Sequence, residues 1–156
     1  MDTGIDLFDD LVRAEIAVYN QVDERIKAAH GVTVGTVNVL RLIERTDNAR
    51  VDDLVRALEL RVGTASKIVD RYVEAGWLQR VPNPGDRRSS WLVLTDAGRE
   101  LLATGVPTFE ASVTEIVSGV LTTAETARLH GLLAKLRAGL RGEKSSQAAE
   151  TSDADA

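Results

Sequence analysis

One stretch of the chain, from Val51 to Leu101, constrains the fold most, because its hydrophobic pattern changes from a helical period to an extended one. Apolar residues first recur at i, i+3, i+4 and i+7, as on one face of a short helix: Val51, Leu54, Val55 and Leu58. A second stripe with helical spacing follows: Ala65, Ile68, Val69, Tyr72 and Val73. Gly76 is then a typical helix stop. The stretch therefore predicts two short helices in succession.

Two runs of β-branched, aromatic and aliphatic residues come next, Trp77–Val81 and Ser90–Leu94, and they indicate a β-hairpin. The residues between them are turn formers with two adjacent arginines, Arg87 and Arg88. Thr95 fits the N-cap of a further helix. Two helices followed by such a hairpin are typical of a winged helix-turn-helix. We therefore predict a mainly α fold with a small β-hairpin wing.

The outward face of the second helix has the side chains that a helix in a DNA major groove needs. Small residues near its start let the backbone approach DNA, and four side chains can contact base edges or phosphates: Thr64, Ser66, Lys67 and Arg71. The two arginines of the hairpin tip suit a narrow minor groove, where the negative potential is strongest. Asp86 by itself would repel phosphate, so we expect it to pair with a nearby arginine and hold the tip rigid.

These residues also have ordinary structural explanations. Lys67 and Arg71 can be solvated charges on a helix surface, and the tip arginines can simply keep the hairpin soluble. The hydroxyl of either Thr64 or Ser66 can instead form a hydrogen bond with the helix backbone. We favour DNA contact for Lys67 and Arg71 because they fall within a helix-turn-helix frame. We favour it for Arg87 and Arg88 because two adjacent arginines with an acid in a turn are a more specific pattern. The two explanations are evenly balanced for Thr64 and Ser66.

Three short motifs lie in this block in a fixed order. Gly76–Arg80 fits GxxxR at a strand start, Asp86–Arg88 fits DxR in the wing, and Leu94–Gly98 fits LTxxG at a helix start. By these motifs the chain closely resembles the MarR family of bacterial transcription regulators, and its flanking helices fit the rest. The resemblance implies that the second helix, the recognition helix, enters the major groove and that the wing enters the minor groove.

Carried over by position, the resemblance assigns the major-groove contacts to the four side chains named above. It assigns the minor-groove contact to Arg88, with Arg87 beside it, and the bracing of the wing to Asp86. The chain departs from the family at Arg61, where relatives often have a serine that caps the recognition helix. Loss of a cap hydroxyl typically costs about 1 kcal/mol. An arginine at this place adds a candidate phosphate contact.

The net charge of −5 argues at first against DNA binding, since phosphate neutralisation supplies much of the affinity. The charges are unevenly distributed, however. Between Arg61 and Trp91 there are six cations and three anions, a local charge of +3, and the remainder of the chain carries −8. A basic face on an acidic body limits non-specific binding, orients the protein on DNA and predicts moderate affinity at high salt.

Amphipathic helices are predicted on both sides of this region, at residues 5–30 and from Thr33 to Arg45. Beyond Thr95 a helix runs towards Gly119, with a disturbance expected around Pro107. Thr122–Glu125 is a capping box that precedes a narrow leucine stripe: Leu129, Leu132, Leu133, Leu136 and Leu140. We expect the helices at 5–30 and 100–141 to form a homodimer interface, an arrangement that the resemblance also implies.

The length of 156 residues is that of a single domain. We predict one domain over residues 1–141, with the winged helix-turn-helix at 33–99. Residues 142–156 contain no aliphatic side chain larger than alanine, which predicts a disordered acidic tail.

Composition argues against several other kinds of site and of protein. Cysteine is absent, which excludes disulfides, thiolate metal sites and cysteine-based oxidant sensing. His30 and His130 are the only histidines and lack a cluster of acids, so we predict neither a metal nor a cofactor. No phosphate-binding glycine loop, GxSxG elbow or acid–base pair is present, which argues against an enzyme. The lack of a long apolar segment and the acidic N-terminus predict a cytoplasmic protein without a membrane span.

The sequence thus predicts a sequence-specific, homodimeric regulator of a nearby gene, most readily a repressor, that binds a pseudo-palindromic operator in double-stranded DNA. Half-sites about 34–36 Å apart follow from two-fold symmetry. The resemblance implies release by a small-molecule effector, often a phenolic or other aromatic anion. A winged-helix protein-interaction module without specific DNA binding is the alternative, and a small-molecule-binding enzyme is a third possibility. Activation rather than repression stays open, as do the effector and its pocket.

Overall fold

The computed structural model describes residues 3–86 and 88–153, and it describes side-chain surroundings as far as residue 140. Within this range it contains six helices and one hairpin: α1 (Gly4–His30), α2 (Val34–Glu44), α3 (Val51–Leu58), α4 (Val62–Glu74), β1 (Leu78–Pro82), β2 (Ser90–Leu94), α5 (Asp96–Ser118) and α6 (Thr123–Asp153). The predicted mainly α architecture with a hairpin wing is confirmed.

Identifiable backbone features mark both ends of α1 and the start of α2. α1 begins after Thr3, whose hydroxyl accepts from the Asp6 N–H while the Asp6 carboxylate accepts from the Thr3 N–H. It ends at Gly31, which adopts the left-handed conformation with φ of 69°. At the start of α2, Asp23 of α1 accepts a hydrogen bond from the Val34 N–H at 2.8 Å. This bond anchors α2 on α1.

The core of the winged helix is built from apolar side chains of every element between α1 and β2. The largest fully buried ones are Val22, Ile26, Val34, Val37, Leu40, Leu54, Val69, Leu78 and Leu94. Full burial of such a side chain contributes about 1.5–3 kcal/mol before entropy is counted. Only the C-terminal half of α1 takes part, since its buried residues are Val22 and Ile26.

The two strands pair antiparallel, with Leu78 opposite Leu94 and Pro82 opposite Ser90. Proline is tolerated at the end of β1, where a missing amide costs least. The other edge of β2 is also bonded, because the Leu92 N–H donates to the Ala49 carbonyl at 2.7 Å. The hairpin base is therefore held on the segment that leads into α3.

α5 differs from the sequence prediction, because it continues unbroken through Pro107. Close packing accompanies this continuity. A Cβ on Gly105 would lie 3.1 Å from Cγ2 of Val37, so the backbone of α5 passes directly over α2. His30 at the end of α1 adds a hydrogen bond between its Nε2 and the Thr108 hydroxyl at 2.8 Å. These contacts offset the single backbone hydrogen bond that proline removes.

By packing, the chain divides into two compact units, residues 1–113 and 114–156. The single domain over residues 1–141 stays a prediction. In the second unit, Thr122 and Glu125 form the predicted capping box before α6. α6 then runs to Asp153, and the disordered acidic tail from residue 142 stays a prediction. Glutamate, lysine, glutamine and alanine in this segment are good helix formers and no proline interrupts them. Residues 154–156 lie outside the described part.

Each unit leaves an apolar helix face uncovered. On α1 the exposed side chains belong mostly to the N-terminal half: Ile5, Leu7, Phe8, Leu11, Val12, Ile16 and Tyr19. On α6 they are the leucines of the predicted stripe: Leu129, Leu132, Leu133, Leu136 and Leu140. We call these the α1 apolar face and the α6 apolar face. Contiguous apolar surface of this kind is typical of an interaction site.

Neither a membrane-spanning helix nor a metal-binding cluster is found among the described residues. No helix there is long and apolar enough to cross a membrane. No group of three or more histidines and acids is arranged there to hold a metal ion.

Candidate nucleic-acid interface

α4 presents an apolar side to the core and a polar side to solvent. Ala65, Val69 and Tyr72 are buried, at the spacing expected of one helix face. The residues predicted to face outward are all exposed: Gly63, Lys67, Asp70 and Arg71. The polar side of α4 is therefore free to enter a groove, as the sequence predicted for a recognition helix.

The N-terminal end of α4 is open to close approach. Arg61 occupies the N-cap position and makes no side-chain capping hydrogen bond, in agreement with the departure seen in the sequence. A Cβ built on Gly63 meets no atom within 4 Å. Thr64 is exposed and Ser66 partly exposed, and within the described residues neither hydroxyl is used in a hydrogen bond. Both hydroxyls thus remain available to a ligand.

The cations of this surface are also available. Arg61, Lys67 and Arg88 are exposed, and their side chains make no ion pair in the part of the chain that the structure describes. Arg71 is exposed too, and its guanidinium lies over the Tyr72 ring, 5.3 Å from the centroid. Arg87, which the sequence also predicts as a DNA contact, lies outside the described residues.

The tip of the hairpin is held by its own turn residues. Asn83 accepts from the Gly85 N–H at 2.9 Å and donates from its amide to the Ser89 hydroxyl at 2.9 Å. The Asp86 carboxylate accepts from the backbone N–H of Arg88 at 2.9 Å. Asp86 therefore has a backbone partner at the tip. Its pairing with an arginine side chain stays a prediction, because Arg87 lies outside the described residues.

An ion pair connects the wing to the recognition helix. The Arg80 guanidinium of β1 donates to the Asp70 carboxylate of α4 at 2.8 Å and to the Ser90 hydroxyl of β2 at 3.4 Å. The two surfaces predicted to contact DNA are thereby joined by one side chain. In the sequence, Arg80 is recognisable only as the end of the GxxxR motif, and its pairing with Asp70 was not predicted.

The LTxxG motif joins the base of the hairpin to α5. The Thr95 hydroxyl donates to the Gly76 carbonyl at 2.6 Å and accepts from the Gly98 N–H at 3.1 Å, so it caps α5 as predicted. The Thr95 N–H donates to the Trp77 carbonyl. A Cβ on Gly98 would overlap that same carbonyl oxygen. Only glycine permits this close approach.

α3, the first helix of the helix-turn-helix, is held by an acidic residue at its start. Asp53 accepts from the Arg50 N–H at 2.8 Å and from the Arg56 guanidinium. Burial raises the pKa of Asp53, but these hydrogen bonds outweigh burial and hold the pKa below its ordinary value. The carboxylate therefore stays ionised at neutral pH.

The comparisons with known proteins agree with this geometry. The MarR family model matches residues 32–90, which include the helix-turn-helix and most of the wing. The protein assigned to regulation of the hcr operon in Thauera aromatica is 30% identical over 129 residues, which cover 81% of this chain and 75% of that protein. The chain belongs to the MarR family. MarR proteins are DNA-binding transcription regulators and not enzymes, as the sequence predicted.

Solved MarR structures share the fold. Sco3205 of Streptomyces coelicolor, a MarR regulator in complex with DNA, superposes with a TM-score of 0.78 at 21% identity, over 90% of each chain. BpsR of Bordetella bronchiseptica, whose DNA binding is regulated by 6-hydroxynicotinic acid, has a TM-score of 0.74 at 25% identity, over 84% of this chain and 98% of its own.

Proposed function

We propose that this MarR-family regulator acts as a cytoplasmic homodimer that occupies a pseudo-palindromic operator, represses a nearby gene and is released by a small molecule. The observation that carries the proposal is the exposed cationic surface shared by α4 and the wing, formed by Arg61, Lys67 and Arg88, which have no ion-pair partner among the described residues. Unpaired cations on an otherwise acidic protein have a clear function if phosphates are their partners.

The geometry supports two attachments for each protomer. The open N-terminal end of α4, with the free hydroxyls of Thr64 and Ser66, fits against base edges in a major groove. Arg88 at the braced wing tip fits the adjacent minor groove, where guanidinium is favoured by the negative potential. The Arg80–Asp70 pair keeps both attachments in one orientation.

The homodimer rests on the α1 and α6 apolar faces. Phe8 of α1 is 63% exposed and Leu132 of α6 is 58% exposed, fractions far above those of the core. A second copy carries the same two faces, so isologous contacts can cover each of them. Two DNA-binding regions related by two-fold symmetry then require half-sites about 34–36 Å apart.

The effector response is supported by the relative BpsR, whose DNA binding is regulated by 6-hydroxynicotinic acid. For this chain we propose a small aromatic acid of similar chemistry. Such a ligand must have a higher affinity for the dimer conformation that cannot occupy the operator than for the conformation that can. A coupling free energy of about 1–3 kcal/mol is typical of such regulators.

The test begins with selection of a binding sequence from a random double-stranded library by the purified protein. Fluorescence anisotropy then compares the selected duplex with a shuffled duplex for wild type, Arg88→Ala and a matched control, Arg128→Ala. Arg128 is an exposed arginine of α6 that is not among the residues proposed to contact DNA. We expect wild type to prefer the selected duplex by at least about 10³. Arg88→Ala should flatten the salt dependence by about two counterions per dimer, and Arg128→Ala should not.

Equal, weak binding to both duplexes, unchanged in Arg88→Ala, would overturn the proposal and favour a protein-interaction module. If the operator is confirmed, a set of aromatic acids is screened for release of the protein from it. A gene reporter controlled by the selected operator then decides between repression and activation.

A further inference from the structure

Tyr72 is an unusual core residue, because it belongs to the recognition helix and touches polar groups on two sides. It is 3% exposed, and its hydroxyl donates to Oγ1 of Thr36 on α2 at 3.1 Å. Its ring lies 5.6 Å from the Trp77 ring at the base of the wing. The same ring lies beneath the Arg71 guanidinium. Tyr72 thus contacts α2, the wing base and a predicted DNA-contacting cation.

The hydroxyl bond fixes where the ring stands. Thr36 is itself buried, and its Oγ1 lies 3.0 Å from the hydroxyl of Thr33, the N-cap residue of α2. The three hydroxyls form a chain in which every buried polar atom has a partner, and a satisfied buried network allows few alternative arrangements. The orientation of the Tyr72 ring is therefore set by α2 and not by α4 alone.

The ring in turn restricts the cation. A guanidinium 5.3 Å from a ring centroid is within the range of a favourable cation–π contact. Arg71 is exposed, and an unrestrained arginine at such a place samples many rotamers. Contact with a fixed ring reduces that freedom before DNA arrives, and preorganisation of this kind raises affinity by lowering the cost of ordering.

We propose that Tyr72 is a positioning residue that holds the Arg71 guanidinium in its DNA-binding orientation and thereby contributes to operator specificity. The inference rests on the proposed operator binding. It goes beyond that proposal by making the specificity of an exposed arginine depend on a buried hydroxyl bond to another helix.

The contact itself is tested without DNA. Proton NMR of Arg71 is compared in wild type, Tyr72→Phe and Tyr72→Leu. The Hδ protons should be shifted upfield by the ring in wild type, less so in Tyr72→Phe, whose ring has lost its anchor, and not at all in Tyr72→Leu. Identical Arg71 shifts in wild type and Tyr72→Leu would overturn the proposal.

The consequence is tested by anisotropy on the selected and shuffled duplexes, with a double-mutant cycle. Tyr72→Leu should lower the preference for the selected duplex about two- to fivefold. Tyr72→Phe should lower it by a smaller factor, because the ring remains but its hydroxyl bond to Thr36 is lost. In an Arg71→Ala background, Tyr72→Leu should have no further effect on the preference, because the side chain it positions is gone. Thermal unfolding of each variant confirms that the folded protein is compared, and Tyr72→Met replaces Tyr72→Leu if the latter does not fold.

The outcomes separate the two proposals. If wild type itself shows no preference between the duplexes, operator binding is overturned and this inference with it. If wild type prefers the selected duplex but Tyr72→Leu lowers the preference equally with and without Arg71, Tyr72 acts only through general packing and the inference alone is wrong.

Discussion

The winged helix and the two outer helix faces use similar amino acids in opposite ways. Between α2 and β2 a set of aliphatic side chains is fully buried, and Leu54 is 0% exposed. On α6 the leucines are about half exposed, as is Phe8 on α1. The winged helix thus completes its core within one chain, whereas the outer faces leave apolar surface that another surface has to cover. Folding and assembly are assigned to different parts of the same short sequence.

The polar groups show the same contrast. In the winged helix they connect elements, as Thr95 connects the hairpin base to α5 and Arg80 connects β1 to α4. On the outer helices, Thr3 and Thr122 cap their own helix ends and make only local bonds. The first kind of bond fixes tertiary geometry, and the second only fixes where a helix begins. Four substitutions test this comparison.

The largest effect is expected for Gly98→Ala in the winged helix. A methyl group there would overlap the Trp77 carbonyl oxygen, which belongs to the backbone and cannot rotate away as a side chain could. We expect a loss of about 3 kcal/mol or more in the free energy of unfolding, measured by urea denaturation. Gly131→Ala on α6 is the control, since a Cβ there meets no atom within 4 Å and better helix propensity predicts a gain of up to about 1 kcal/mol. Equal effects of both would contradict the contrast in packing.

The next largest effect is expected for Phe8→Asp on the α1 apolar face. If this face is covered by a second copy, two charges enter the interface and two phenyl groups leave it. The dimer dissociation constant should rise about a hundredfold or more, measured by sedimentation velocity. Gln21→Glu adds a charge to an exposed polar position of the same helix and should leave the constant unchanged. A Phe8→Asp protein that stays as dimeric as wild type would remove this face from the interface.

A smaller, pH-dependent effect is expected for Asp23→Asn. The hydrogen bond from Lys27 and the one from the Val34 N–H hold the pKa of Asp23 below its ordinary value despite partial burial. Because the folded-state pKa is depressed, the stabilisation is complete above the ordinary value of about 4 and is lost as the pH falls through the folded pKa. Asp23→Asn should therefore cost about 1 kcal/mol at pH 7, and the difference from wild type should shrink in acid. Denaturant unfolding of wild type and Asp23→Asn at pH 7 and in acid measures the difference in stability. A difference that does not change with pH would refute a role for the Asp23 charge.

The smallest effect on stability is expected for Asp70→Asn, because both partners of the Arg80 pair are largely exposed. The free energy of unfolding should change by less than about 0.5 kcal/mol. The ratio of affinities for selected and shuffled duplexes should nevertheless fall, because loss of the carboxylate charge weakens the contact between the wing and α4. Arg99→Gln breaks the comparable Asp96 pair on α5 and serves as the control. Loss of stability without loss of preference would mean that the pair is a scaffold contact only.

Much of the candidate site could be predicted from local sequence patterns. The helical period of the second apolar stripe placed Lys67 and Arg71 on the outer face of α4, and turn chemistry placed Arg88 at the hairpin tip. These predictions depend on only a few neighbouring residues, so a single sequence is sufficient for them. The continuity of α5 through Pro107 was missed, since the cost of a missing amide depends on contacts from α1 and α2.

The sequence by itself determined the order of the elements, the outward residues of the recognition helix and the turn at the wing tip, because helical period, capping and turn preference act over a few residues. Only the tertiary structure decided which distant residues meet. Tyr72 and Thr36 are 36 positions apart, and Arg80 reaches Asp70 only because β1 returns along α4. Such pairs depend on how whole elements pack, since a side chain's neighbours across an interface are set by the rotation and spacing of both elements.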